Sequence, residues 1–512
     1  MTAVTRAGRD DRLAALSPPV LLVAAVVGMA LIRIVIASTT GLTEDEAYYR
    51  LWGLAPAAGY LDHPPMTGWL IAIGQAIAGD TALGVRLMAV LLPVAGAWFL
   101  WRSAAILFDR TVANRAVAIS LAMPLLAAGS VIMTPDTPSV FFWGLTSWAL
   151  VELWRSQRPG WWLALGVFAG LGLLAKYTNL FAGAGVVLWL VAVPAARRWF
   201  QSWQLWVGGV LAFVLASPMI AWNYAHDWAS FAKQFGRVGA GDGLTLNYLG
   251  ELAGGMIALA SPVIAVLAAI GLVASIRLVW RERDPRHAIL LAGIVPMGLY
   301  FLQHALHDRV QANWPAPLYP TLAVLAALAI VAIEEAGAAQ SVHLRRFAKA
   351  ALPVGFGIIA LLYLHVLRPI VVVAGERDPT SQMRGWETVA GEVERLRQAA
   401  GAAWIATTSY AVTGELAFQE AQHEVAGVPV VQLNERLRYV NLPEPPAALL
   451  TRPALYVELE RRVQPAWLSR RFASVTRIGR VERRYAGTLI ASYDVYRLAD
   501  PIAPVLDPVS AR

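Results

Sequence analysis

Apolar runs of about 20 residues, the length a helix needs to cross a bilayer's hydrocarbon core, recur along the first 370 positions between short polar loops. Windows of about 19 residues place eleven spans, near 18–38, 84–106, 113–132, 137–154, 161–174, 177–194, 204–222, 253–276, 287–305, 315–334 and 350–370. The fifth and sixth meet at Ala175-Lys176-Tyr177, and their joint length is too great for one crossing, so two are expected. The first run follows Arg6, Arg9 and Arg12. It exceeds the roughly 7–15 apolar residues of a cleaved signal, so a retained helix is expected.

Beyond about residue 370 the pattern changes. Short β-prone runs appear at 403–408, 428–431 and 454–457, with an amphipathic helix pattern from Trp386 to Leu396. Strands alternating with helices predict a small α/β domain over 371–512. The expected layout is an α-helical polytopic unit over 1–370, with an external loop at 39–83, and a soluble unit after it.

Composition agrees: 57% of residues are hydrophobic and 15% charged, against about 25% charged in soluble proteins. The net charge is +8, but the basic residues sit in alternate loops. Arg102, Arg110, Arg115, Arg155, Arg158, Arg197, Arg198, Arg277, Arg281, Arg283, Arg286, Arg345, Arg346 and Lys349 fall on one side. The other side holds Arg50, Lys176, Lys233, Arg237 and Arg309. The positive-inside rule makes the first side cytoplasmic, so the N-terminus faces the cytoplasm of the cell (inner) membrane and the C-terminal domain faces outward. No basic tract or aromatic-basic module points to nucleic acid. With no cysteine, disulfides and thiolate metal sites are excluded.

Polar chemistry gathers on the outer side. The first external loop carries Glu44-Asp45-Glu46, then Tyr48, Tyr49 and Trp52, then Tyr60-Leu61-Asp62-His63-Pro64-Pro65. Adjacent carboxylates raise one another's pKa, which suits a general base near neutral pH. The same residues also suit the first turn of a helix, where the dipole favours acid. The sequence around them leaves both readings open.

The segments Asp45-Glu46-Ala47-Tyr48-Tyr49 and Tyr60-Leu61-Asp62-His63-Pro64-Pro65-Met66 resemble the first external loop of the protein O-mannosyltransferase superfamily, which includes the lipid A aminoarabinose transferases. Further matches follow in family order: Thr134-Pro135-Asp136-Thr137-Pro138, Ala175-Lys176-Tyr177-Thr178, Trp222-Asn223 with His226-Asp227-Trp228, and Ala312-Asn313-Trp314-Pro315. The resemblance implies a GT-C-like fold with an outward cavity. It implies a polyprenyl-phosphate-linked sugar donor, and an envelope lipid, glycan or protein as acceptor. It makes Asp45 the expected base, with Glu46 and Asp136 as catalytic partners. Tyr48, Tyr49 and Asp62 are expected to position the loop or acceptor. His63, Lys176, Arg237 and Arg309, with Lys233 beside them, are the expected contacts for donor phosphate. Asp62 and His226 are candidate ligands for a divalent metal. His63 reads three ways: phosphate contact, metal ligand, or hydrogen bond within the loop.

A membrane transporter or flippase is the alternative. Such proteins place ionisable residues near the bilayer midplane, whereas here they collect at outer helix ends. Arg33, inside the first span, is the exception.

Overall fold

The computed structural model describes residues 18–236, 243–422 and 427–509. Arg6, Arg9, Arg12 and the candidate Arg237 lie outside the described residues.

The first part is a helical bundle. Among the described residues, seven helices are long and apolar enough to cross a membrane: Val20–Thr39, Ala82–Leu107, Trp203–Ala225, Pro262–Glu282, Pro285–His304, Ala316–Glu335 and Val342–Leu367. An eighth, Tyr177–Ala192, turns by 109° into Pro194–Gln201. The eleven expected spans differ from this for local reasons. In place of 113–132 the chain forms Arg110–Leu121 and then Pro124–Ala128, because Pro124 has no N–H to continue a helix and is suited to start one. Asp136–Ser156 is long enough, but Thr137, Ser139, Thr146 and Glu152 along it make it less apolar than those seven helices. Trp161–Ala175 has 15 residues, about 22 Å at 1.5 Å per residue, which is short of a full crossing. The run expected at 253–276 is cut at Ser261, whose φ is +73°, with Pro262 opening the next helix.

Short helices are held in the bundle by close backbone approach. A Cβ on Gly166 would lie 2.0 Å from the carbonyl oxygen of Gly208. Helices meet this closely in a bilayer only where small residues face each other.

The second part is a five-stranded mixed sheet: β1 (Trp404–Thr407), β2 (Val430–Gln432), β3 (Ala454–Leu459), β4 (Phe472–Tyr485) and β5 (Thr488–Pro501). The strand order is β2-β1-β3-β5-β4. β1 runs parallel to β2 and β3, and β5 antiparallel to β3 and β4. Ala486 and Gly487, both at positive φ, form the two-residue turn that lets β4 pair straight back onto β5. Helices Trp386–Ala399 and Tyr410–Gln422 cover one face, where Val389, Val393, Val412 and Leu416 meet Ile405, Leu455 and Val495.

The sheet unit is seated on the loop that follows the first membrane helix. Helix Tyr410–Gln422 lies against the loop helix Glu44–Leu54, and a Cβ on Gly414 would come within 2.7 Å of the Tyr48 backbone nitrogen. Phe418 and Tyr439 share an apolar core with Tyr48, Tyr49, Trp52, Leu174 and Met219. A side chain at Gly414 must therefore push the two helices apart. Gly414→Leu should destabilise the docked state by about 1–3 kcal/mol, read as a lower thermal midpoint and faster protease cleavage between 371 and 385. Parental behaviour in both assays would show that the contact is not tight.

Candidate active site

The loop helix is fixed at its start. Thr43 Oγ1 accepts the Glu46 N–H (3.3 Å), and the Glu46 carboxylate accepts the Thr43 N–H (3.0 Å). This reciprocal cap satisfies two donors that a helix N-terminus leaves unpaired. Glu46 is fully buried and also accepts Arg86 Nε at 2.8 Å, Arg86 Nη2 at 2.6 Å and the Met133 N–H at 2.9 Å. No oxygen of Glu46 is left to meet a substrate. Its geometry is that of a residue that holds the helix in place.

Asp45, one residue earlier, points the other way and is exposed. It accepts the Tyr410 hydroxyl at 3.2 Å. Dense protein around it raises its pKa above the ordinary aspartate value, and the charges of Asp62 and Glu46 add to the rise. The Tyr410 hydrogen bond and Arg438 oppose it without cancelling it. An open carboxylate with raised proton affinity is what a general base requires.

Asp62 is in the opposite state. It pairs with Lys233 Nζ at 2.6 Å and with Arg438, and it accepts the Tyr48 hydroxyl at 2.8 Å. Burial alone would raise its pKa, but Arg438 and Lys233 outweigh burial and hold it below the usual range. Next to it, burial and then the Lys176 charge push His63 down to about 4. At neutral pH His63 is then an uncharged ring set against Tyr49 and Trp52, so any contact with phosphate lacks charge assistance.

Three segments far apart in sequence meet at Asp136. Lys176 Nζ reaches one carboxylate oxygen at 2.5 Å and Asn313 Nδ2 donates to the other at 2.8 Å. Tyr49 joins the groups: burial first, then Asp45, Asp62 and Asp136, raise its phenol pKa. The three carboxylates therefore all act on one phenol. Arg309 is elsewhere, exposed and paired with Glu251 at 2.7 Å. His226 stacks on Trp222 and places Nδ1 2.7 Å from the Trp222 carbonyl.

A divalent metal does not fit these residues. Two fixed cations already neutralise Asp62, and among the described residues no group of three His, Asp or Glu side chains could hold an ion. The residues that sequence reasoning missed come from the sheet unit. Tyr410 touches Asp45, and Arg438 bridges Asp62 and Glu435 while lying over the Tyr48 and Tyr410 rings. No spacing signals them, because Arg438 and Asp62 are 376 residues apart.

The fold has known relatives. The chain superposes on ArnT from Cupriavidus metallidurans in the apo state with a TM-score of 0.61, covering 96% of this chain and 98% of that one at 14% identity. Residues 62–222 match the family described as Dolichyl-phosphate-mannose-protein mannosyltransferase. The family match covers less than a third of the chain, and the likeness to ArnT at 14% identity shows a shared fold. Two curated proteins are similar in sequence. Lipid A galacturonosyltransferase RgtD of Rhizobium johnstonii is 27% identical over 307 residues, 59% of this chain and 63% of that protein. Lipopolysaccharide core galacturonosyltransferase RgtB of the same organism is 25% identical over 78% of this chain and 79% of that one. The match to RgtD thus spans less than two thirds of its length.

The Glu46–Arg86 pair can be separated from Asp45 by stability. Glu46→Gln leaves a buried guanidinium short of its counter-charge, an effect of about 3–5 kcal/mol, and should lower folded yield and melting temperature sharply. Asp45→Asn should change neither. Equal melting temperatures for the two variants would refute this division of roles.

Proposed function

We propose that this chain is an inverting glycosyltransferase that moves a monosaccharide from a polyprenyl-phosphate-linked donor to an envelope lipid, glycan or protein acceptor on the outer face of the cell membrane. The observation that carries the reading is the open Asp45 carboxylate, with its raised proton affinity, on the same loop helix as Tyr49, whose phenol feels both Asp45 and Asp136 of the Asp136–Lys176–Asn313 cluster. An apolar cavity of about 290 Å³ has Asp136 and Asn313 in its wall. A lipid chain suits that cavity, and a phosphate-linked sugar suits its polar end. Similarity to ArnT, whose structure is also known bound to undecaprenyl phosphate, and to the lipid A and core galacturonosyltransferases supports the same class of donor and acceptor.

In this reading Asp45 takes the proton of the acceptor hydroxyl. The acceptor oxygen forms a bond to the sugar's anomeric carbon as the bond from that carbon to the phosphate oxygen breaks. The electron pair leaves with the phosphate, whose growing charge needs fixed cations nearby. Lys176 and Lys233 are the described lysines in place. Residues 1–370 hold the transfer machinery with its loop at 39–83, and 371–512 form the outward unit.

Two measurements follow. Asp45→Asn should cut transfer about 10²–10⁴-fold, the usual value of a general base, while donor binding persists. Since only the ionised carboxylate accepts a proton, the rate should rise with pH along a limb above the ordinary aspartate pKa of about 3.9. Tyr410→Phe removes a hydrogen bond that favours the charged form, so that limb should move to still higher pH. Near-parental turnover in Asp45→Asn, or a limb that moves down in Tyr410→Phe, would sink the assignment. For orientation, alkaline phosphatase fused after residue 380 should be active and a fusion near Arg198 inactive; the reverse pattern would invert the topology.

A further inference from the structure

Arg33 sits inside the first membrane helix, six residues before its end at Thr39, about 9 Å along the axis. It is 3% exposed and lines the apolar cavity together with Ser130, Thr134, Asp136 and Asn313. Its Nε donates to the Tyr363 hydroxyl at 3.0 Å, and that hydroxyl donates in turn to the Ala127 carbonyl at 2.9 Å. Among the described residues its two terminal nitrogens have no hydrogen-bond partner and it has no carboxylate within ion-pair distance.

The cations near the external loop differ from it. Lys176 pairs with Asp136, Lys233 and Arg438 with Asp62, Arg86 with Glu46, and Arg50 with Asp80. Each has a fixed counter-charge. Arg33 has a neutral tyrosine. An unneutralised guanidinium at membrane depth is costly unless it faces a ligand or its own counter-ion. Its planar fork fits two oxygens of one phosphate.

We propose that Arg33 binds the phosphate of a lipid whose chain occupies this cavity, giving a phosphate contact in addition to Lys176, which pairs with Asp136 of the cavity wall. The carrier of the donor sugar is the expected lipid, and in that respect alone the proposal rests on the function given above. A bilayer phospholipid offers the same phosphate chemistry from a different source.

The test uses the full-length protein purified in dodecyl maltoside, with undecaprenyl phosphate, undecaprenol and phosphatidylglycerol as probes. Arg33→Gln should weaken undecaprenyl phosphate binding about 30-fold, within the range for removing one partner of a buried charged hydrogen bond, and leave undecaprenol within about threefold. Arg33→Lys keeps a point charge but loses the fork, so it should fall between, and it serves where the Gln variant does not insert. Tyr363→Phe removes the one side-chain bond to Arg33 and should leave phosphate affinity within about threefold of the parent. Equal phosphate binding across the arginine series overturns the proposal. So does a Tyr363→Phe loss as large as that of Arg33→Gln, since Arg33 would then act only as a helix tie. If phosphatidylglycerol binding falls in Arg33→Gln and undecaprenyl phosphate binding does not, the lipid-phosphate site stands and its assignment to the carrier is overturned. Transfer is not read in this assay, so a failed base assignment at Asp45 leaves its outcome intact.

Discussion

The buried ion pair between Glu46 and Arg86 ties three separate segments to one point. Arg86 also donates to the backbone carbonyls of Thr40 and Gly41, at 3.0 and 2.7 Å, and Glu46 accepts the Met133 N–H. The end of the first membrane helix, the start of the loop helix and the segment before Asp136 are thus held by two side chains. A buried pair stabilises little against an apolar substitute, because desolvation offsets most of the attraction. What it contributes is specificity of position, since each partner's remaining bonds can be met only in this arrangement. That position leaves Asp45 exposed next to it and fixes the segment that leads into Asp136.

Charge is then divided unequally among neighbouring carboxylates. Asp62 is held ionised by two cations, Glu46 is consumed by Arg86, and Asp45 has a phenol as its hydrogen-bond partner. Pairs of acids whose surroundings push their pKa values apart mark separate roles. Here Asp62 is held below the ordinary range and Asp45 above it. The proposed base is therefore the carboxylate that was left without a cation, and its neighbours supply the fixed charge around it.

The motif positions were legible in the sequence because each is a short local pattern: Asp45, Asp62, Asp136, Lys176 and Asn313 all stand in segments that the chain brings together. Span boundaries were less legible. Hydropathy averages over a window and does not register that Pro124 and Pro262 restart helices, or that Gly166 lets a 15-residue helix pack against a neighbour. The part played by Glu46 was not legible either. The same Asp-Glu pair reads equally as two catalytic acids or as one acid and one cap, and only the position of Arg86, 40 residues away, separates them. Tyr410 and Arg438 lie in a unit with no pattern of its own, so only tertiary contact reveals them.

That contact gives the sheet unit a reason to sit where it does. Gly414 allows its helix to touch the backbone of the loop helix, and this touch places Tyr410 on Asp45 and Arg438 on Asp62 from the same side. Arg438 also lies over the rings of Tyr48 and Tyr410, so one guanidinium fixes both the paired carboxylate and the phenol that contacts the free one. The hydrogen bond and the positive charge it brings both favour ionised Asp45. Without them, the dense protein around it and the neighbouring acids would act unopposed and the carboxylate would hold its proton more tightly. A base must bind a proton well enough to remove it from a hydroxyl, yet remain ionised at working pH. In the proposed reaction the packing and the neighbouring acids around Asp45 supply the first condition, and the sheet unit supplies the second.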